Sequence, residues 1–189
     1  MTPDIRELNV GLLGTCCYIL SLPDRDDCVV IDPGAEPERI LETAGNRAIA
    51  AILLTHGHFD HIGGVSGLMG DGAALVIHEL DAPMLGDPQQ NASWMIRRTI
   101  TAPEATRLVR EGDEITYAGI TFSVLHTPGH TPGSVCYQTE NALFTGDTRF
   151  REGYGRTDLP GGSMRDLRHS LARLAPLVEA LPLYPGHEA

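Results

Sequence analysis

The chain has 189 residues, 42% of them hydrophobic, and a formal net charge of −11, because 25 Asp and Glu residues outnumber 14 Lys and Arg residues. This length suits one compact core, and we expect residues 1–189 to form a single domain. The acidic balance opposes binding to phosphate backbones and anionic lipids, so we expect no nucleic-acid partner and no membrane partner. The amino terminus has no apolar leader-like segment, which favours a cytoplasmic location.

Short apolar runs separated by Gly and Pro residues predict a series of strands. In chain order, the predicted strands are Thr15–Ser21, Cys28–Ile31, Ile49–Leu54, Ala74–His78, Ile120–Leu125, Ser134–Thr139 and Ala142–Phe144. Two helices are also predicted: Glu36–Ala44, with Pro37 in its first turn, and Met164–Leu177, which begins after Ser163 as N-cap. Strands in both halves of the chain with helices between them indicate a layered α/β (α+β) architecture.

The strongest chemical signal is the run THGHFDH at residues 55–61, which directly follows a predicted strand. Residues i and i+2 of an extended backbone face the same side, so His56 and His58 can converge on one cation. Asp60 and His61 lie one turn further on. Imidazole and carboxylate ligands suit zinc, iron or manganese, and no cysteine lies nearby to complete a closed structural zinc site. The run therefore predicts an open metal site with room for a second one.

Three later residues repeat the pattern of a ligand-type side chain at the end of a strand-like run. His130 lies in HTPGHTPG, Asp147 follows LFTG, and His187 follows LYPG. A single His or Asp in a loop is usually only solvated, but the repetition favours a shared site. The two oxygens of the Asp147 carboxylate can bridge two cations.

The series HxHxDH, TPGHTPG, TGD and PGH resembles the metallo-β-lactamase superfamily, whose fold is a four-layer αββα sandwich with metals at one edge. The resemblance implies two divalent metal ions, zinc first and iron or manganese as alternatives. It also implies which side chains bind them: His56, His58 and His130 the first metal, Asp60, His61 and His187 the second, and Asp147 both.

Narrower similarity to small glyoxalase II-like proteins rests on IDPG at residues 31–34, GDT at 146–148 and GRTDLPGG at 155–162. It implies hydrolysis of a small-molecule thioester or ester by a metal-bridging hydroxide, with Asp60 and Asp147 in the catalytic centre. Arg156 becomes a candidate contact for a substrate anion, the alternative being an ion pair with Asp158. Tyr154 either lines the substrate pocket or packs locally.

Other positions have open assignments. Asp32 either orients a metal-binding imidazole or caps its Asp-Pro-Gly turn. We expect the pocket walls to come from segments 85–101 and 150–162, and we expect no C-terminal glutathione-binding helical domain, because the chain ends two residues after His187. No feature of the sequence predicts the oligomeric state.

Two other activities fit the same motifs. A mononuclear iron persulfide dioxygenase would use His56, His130 and Asp147, and a lactonase or other ester hydrolase would use the whole set, since the ligands do not select the leaving atom. A β-lactamase fits less well, because those enzymes commonly lack the Asp60-His61 pair or place a Cys in the second site. An RNA-processing nuclease would need a basic surface, which the charge of −11 does not provide.

Overall fold

The computed structural model describes residues 2–188, which form eleven strands, four α-helices and two short 3₁₀ segments. The strands are β1 (Asp4–Val10), β2 (Thr15–Ser21), β3 (Asp27–Ile31), β4 (Ala48–Leu53), β5 (Ala74–His78), β6 (Arg107–Val109), β7 (Glu114–Tyr117), β8 (Ile120–His126), β9 (Val135–Gln138), β10 (Leu143–Gly146) and β11 (Leu183–Pro185). The helices are α1 (Pro37–Ala44), α2 (Phe59–Ile62), α3 (Val65–Leu68) and α4 (Met164–Ala180), and the 3₁₀ segments are Ala82–Gly86 and Ser93–Ile96.

The strands form two sheets. Six strands make the first sheet in the order β1-β2-β3-β4-β5-β6, and five make the second in the order β11-β10-β9-β8-β7. Strands β3 to β6 run parallel to one another, as β10 and β11 do, whereas β1, β2 and β3 form an antiparallel meander. The parallel strands therefore end at a common edge of their sheet.

The two sheets pack face to face. Strand β2 contributes side chains to the core between the sheets and to a second core on its other side. Its alternate residues Cys16, Tyr18 and Leu20 point into the core between the sheets, while Cys17 and Ile19 point outward into a second core. Successive side chains of a strand face opposite sides. A strand covered on both faces therefore reads as a continuous apolar run and not as an alternating one.

Helices cover both outer faces. Ile40 of α1 and Ile62 of α2 pack on the first sheet, and Leu174 of α4 packs on the second. The predicted αββα sandwich is confirmed. The last helix contains Pro176, as predicted, and extends three residues beyond its predicted end, to Ala180. No helix within residues 2–188 is both long and apolar enough to cross a membrane.

The turn after β3 and the loop after β4 approach each other so closely that only glycine fits at position 34. A Cβ atom at Gly34 would lie 1.7 Å from the backbone oxygen of Asp60. Backbone atoms cannot move aside as a flexible side chain can, so this contact restricts the position of the loop that carries Asp60 and His61.

We predict that Gly34→Ala lowers the free energy of unfolding by at least about 1–3 kcal/mol, because the added methyl group overlaps backbone. Urea denaturation measures this change. Gly70→Ala is the matched control, since a Cβ atom there meets nothing within 4 Å. Equal stability of the two variants would contradict the packing described here.

Candidate metal centre

The structure brings the seven predicted ligand residues together at the sheet edge. The first trio consists of His56 and His58, in the loop after β4, and His130, in the loop after β8. One ligand-type atom from each lies within 4.8 Å of the other two. The Nδ1 atom of His58 and the Nε2 atom of His130 are only 2.9 Å apart. Three imidazoles from two loops thus face a common point.

The second trio consists of Asp60, His61 and His187, whose ligand-type atoms also lie within 4.8 Å of one another. The Oδ2 atom of Asp60 is 3.2 Å from Nε2 of His187 and 3.4 Å from Nε2 of His61. The hydroxyl of Thr15 donates a hydrogen bond to the same oxygen, at 3.2 Å. Residues from β2, from α2 and from the segment after β11 therefore meet here.

Asp147 lies between the two trios. Its Oδ1 atom is 3.4 Å from Nε2 of His61, and its Oδ2 atom is 3.4 Å from Nε2 of His130 and 3.5 Å from Nε2 of His187. One carboxylate thus presents an oxygen to each trio, which is the placement needed to bridge two cations. Gly186 makes room for it, because a Cβ atom there would lie 2.1 Å from Oδ1.

In four of the imidazoles, the ring nitrogen that points away from the cluster contacts another residue of the chain. The Nδ1 atoms of His56, His61, His130 and His187 contact, respectively, the Thr55 hydroxyl at 3.1 Å, the Asp32 carboxylate at 3.0 Å, the Arg156 backbone oxygen at 2.7 Å and the Leu13 backbone oxygen at 3.2 Å. Such partners set the ring orientation and leave the Nε2 atom to face the cluster. Asp32 therefore has the orienting contact that was one of its two predicted assignments.

Several of the atoms that face the cluster lack hydrogen bonds. The Nε2 atoms of His56 and His61 and the Oδ1 atom of Asp147 are buried and have no hydrogen-bond partner among the described residues. Leaving a buried polar atom unpaired costs about 1–3 kcal/mol. The lone pairs of imidazole and carboxylate are suitable ligands for zinc, iron or manganese, so the donor set fits divalent cations.

Burial controls the charge of the first trio. Together with the neighbouring imidazoles, it lowers the pKa of His58 to about 3 and that of His56 well below its ordinary value. Both rings are neutral near neutral pH, which is the form of imidazole that binds metals.

The second trio has the opposite electrostatic character. Burial lowers the pKa of His61, but the carboxylates of Asp60, Asp147 and Asp32 outweigh it and hold that pKa well above its ordinary value. Burial raises the pKa of the Asp60 and Asp147 carboxyls, yet the surrounding imidazoles bring both below their ordinary values. These buried carboxylates need a positive charge beside them, and a divalent cation provides one.

A residue that the sequence analysis did not select, Asp81, connects the two loops of the first trio. Its side chain is fully buried. It accepts hydrogen bonds from the backbone N–H of Gly57 at 3.1 Å, the hydroxyl of Thr131 at 2.7 Å and the backbone N–H of Gly133 at 2.6 Å. Gly57 lies between His56 and His58, and Thr131 follows His130. Asp81 therefore determines how closely these loops approach.

A cavity of about 370 Å³ opens onto the ligand cluster. Apart from the ligands, its wall is mainly apolar, and we call it the apolar pocket. Its largest apolar side chains are Leu13, Phe59, Met95, Ile96, Phe150 and Leu159. The predicted segments 85–101 and 150–162 supply four of these six, while Leu13 comes from the turn between β1 and β2, which was not predicted to contribute.

The two predicted substrate contacts lie near this pocket but differ in their surroundings. Arg156 lines it, with its guanidinium paired to Asp158 through contacts of 2.6 and 2.7 Å. The local ion pair, one of the two assignments considered for Arg156, is therefore present. Tyr154 is about half exposed and does not line the apolar pocket. Substrate binding by either residue stays a prediction.

We predict that Asp81→Ala lowers the free energy of unfolding by at least about 2 kcal/mol, because it leaves buried donors of two loops unpaired. Asp87→Ala is the matched control: Asp87 also accepts a backbone N–H, from Gln89 at 2.8 Å, but it does so at the surface. We expect the control to change stability by less than about 1 kcal/mol, as for most surface substitutions. Similar denaturation midpoints for the two variants would contradict the role assigned to Asp81.

Comparison with sequences of known proteins identifies close relatives. The profile of the metallo-beta-lactamase superfamily matches residues 10–187. An uncharacterized protein of Mycobacterium tuberculosis is 38% identical over 197 aligned positions, which cover 94% of this chain and 87% of the relative. A hydroxyacylglutathione hydrolase of Aeromonas hydrophila is 37% identical over 174 positions, which cover 90% of this chain and 61% of that enzyme.

Solved structures show the same fold. The BLEG-1 B3 metallo-beta-lactamase has a TM-score of 0.88 at 34% identity, with 98% of this chain and 92% of that chain covered. A protein crystallised in a di-iron-bound form has a TM-score of 0.84 at 36% identity, with coverage of 97% and 92%. ETHE1 from Myxococcus xanthus has a TM-score of 0.77 at 29% identity, with coverage of 98% and 76%. The chain belongs to the metallo-beta-lactamase superfamily.

Proposed function

We propose that this protein is a dinuclear metal-dependent hydrolase that cleaves thioesters. The main support is the convergence of seven imidazole and carboxylate side chains whose cluster-facing atoms include three that are buried and without hydrogen-bond partners among the described residues. A chain that had no use for cations would not gain by burying these atoms together.

The ligand assignment follows from the geometry of the two trios. His56, His58 and His130 would hold one cation, and Asp60, His61 and His187 the other, with Asp147 facing both. When bound, two divalent cations supply a hydroxide nucleophile at neutral pH and an electrophilic contact for the substrate carbonyl. Zinc, iron and manganese all suit this donor set.

The residues that line the apolar pocket, apart from the proposed ligands, favour a substrate with a good leaving group. Apart from the ligand residues, Arg156 is the one titratable side chain among the described residues that line the apolar pocket, and its guanidinium does not release a proton near neutral pH. No side chain of this wall is therefore a general acid for the leaving group. A thiolate leaves without protonation, unlike an amine, so thioesters fit better than amides.

One relative of known name also supports a thioester as the substrate. The Aeromonas hydrophila relative is a hydroxyacylglutathione hydrolase, and this chain covers 61% of its length. We infer thioester hydrolysis from this similarity together with the wall of the pocket.

We predict that the purified protein contains about two divalent metal ions per chain and that a chelator abolishes thioester hydrolysis. Plasma mass spectrometry of protein prepared without added metal measures the first, and hydrolysis of S-lactoylglutathione and of simple acyl thioesters measures the second. A chain without metal, or with hydrolysis unaffected by chelation, would refute the proposal.

We predict that His58→Ala and Asp147→Ala each lower kcat/KM by more than about 100-fold, because loss of an outer partner of a ligand alone costs about 10- to 100-fold. Metal content should fall in both variants while the far-ultraviolet circular dichroism stays unchanged. His169→Ala is the control, since His169 is an exposed histidine of α4 away from the cluster. Full activity in either ligand variant would exclude the assignment.

A second candidate is an iron-dependent persulfide dioxygenase. The presence of His56, His130 and Asp147 at one point of the cluster favours it. The complete second trio favours the dinuclear hydrolase instead. About one iron per chain, with oxygen uptake on addition of glutathione persulfide and no thioester cleavage, would establish the dioxygenase.

A further inference from the structure

The residues that line the apolar pocket indicate which kind of substrate binds there, whereas the ligand cluster does not. Leu13, Phe59, Met95, Ile96, Phe150 and Leu159 surround the space next to the cluster. A second cavity of about 130 Å³ shares Leu13, Phe59, Asp60 and Ile96 with it. It is lined further along by the apolar residues Val10, Ala35 and Ile100 and by one charged residue, Arg98. The apolar lining therefore continues from the metal centre beyond the first cavity.

Apolar side chains are also exposed at the mouth of this pocket. Eight large hydrophobic side chains of the described residues are exposed, and four of them lie on the two segments that flank the pocket: Leu12 and Leu13 in the turn after β1, and Trp94 and Met95 in the 3₁₀ segment Ser93–Ile96. A concentration of exposed apolar groups beside a cavity marks a binding site for an apolar ligand.

A glutathione thioester does not match this surface. Its tripeptide carries two carboxylates, an ammonium group and amides, each of which would lose hydration on entering. The one charged side chain of the wall that is not a proposed ligand is Arg156, and it is already paired with Asp158 at 2.6 and 2.7 Å. The wall thus offers little compensation for a polar substrate.

We propose that the apolar pocket binds the hydrocarbon chain of a medium-chain acyl thioester or ester, with the reacting carbonyl at the ligand cluster. A methylene group occupies roughly the volume of a water molecule, about 30 Å³, so a cavity of about 370 Å³ accommodates a chain of up to about ten carbons. This proposal rests on the proposed function for the reaction and on the pocket alone for the choice of substrate.

The test is a series of acyl thioesters that share one small thiol, N-acetylcysteamine, and differ in acyl length from acetyl to octanoyl. For the full, metal-loaded chain, kcat/KM should rise about threefold to fourfold for each added methylene that the pocket covers, and should exceed that for S-lactoylglutathione. Thioester hydrolysis with no dependence on chain length, or with a preference for S-lactoylglutathione, would overturn the substrate assignment and leave the hydrolase intact.

A matched pair of variants locates the effect. Met95→Gln makes one wall of the pocket polar, and it should lower the octanoyl-to-acetyl ratio of kcat/KM by about fourfold, the effect of one methylene losing its apolar contact. Leu41→Gln makes an equally exposed apolar side chain polar on α1, outside the pocket, and should leave the ratio unchanged. An equal ratio in both variants would place the chain-length effect elsewhere and overturn the proposal.

A binding measurement separates the substrate assignment from the reaction. Trp94 is the one tryptophan of the chain, is about half exposed and directly precedes Met95, which lines the pocket. Octanoate should shift its emission to shorter wavelength with saturation, whereas acetate at the same concentration should not. If no thioester is hydrolysed but octanoate binds in this way, the proposed reaction fails and the apolar site stands. If octanoate does not bind, the site fails whatever the reaction.

Discussion

Two buried carboxylates connect the loops on which the whole metal centre depends. Asp32, after β3, accepts hydrogen bonds from the backbone N–H of Thr55 at 2.8 Å and from its hydroxyl at 2.6 Å, and contacts His61 at 3.0 Å. Asp81, after β5, accepts the N–H groups of Gly57 and Gly133. A buried carboxylate is stable only when several donors surround it. The loops must therefore close on these two residues, and closing brings the imidazoles together.

This arrangement includes local strain. Asp32 has a positive φ of 50°, a conformation that costs a residue other than glycine about 1–3 kcal/mol. Its hydrogen bonds to Thr55 offset that cost. The neighbouring Gly34 lies against the backbone of Asp60, so the turn after β3 and the loop after β4 can adopt little other than the observed arrangement. Strain at this turn is thus coupled to the position of the second trio.

The site combines two environments that serve different purposes. The ligand cluster is polar and mostly buried, with five imidazoles and two carboxylates. The adjoining wall is apolar, and its side chains come from the turn after β1, from α2, from the 3₁₀ segment Ser93–Ile96 and from segment 150–162. In the proposals made above, the cluster provides the chemistry and the wall the choice of substrate.

The sequence alone determined the strands that are covered on both faces and the residues that end them. Thr15–Ser21 and Ala74–His78 were predicted with their observed bounds, because burial on two faces produces unbroken apolar runs. Strands β1, β6, β7 and β11 were not predicted. All four lie at the edges of their sheets, and the charged β1 sequence DIRELNV lacks an apolar run. The seven ligand-type residues were found because each stands in a short motif after a strand, and the structure brings them together.

Tertiary structure alone decided which residues support and surround that cluster. Asp81 has no motif of its own, since its hydrogen-bond partners lie 24, 50 and 52 residues away along the chain. Leu13 reaches the apolar pocket from a turn that precedes the first ligand by more than 40 residues. Short sequence motifs reflect the local backbone conformation that positions a metal-binding residue. Contacts between distant loops depend on how the two sheets pack, and no local pattern encodes them.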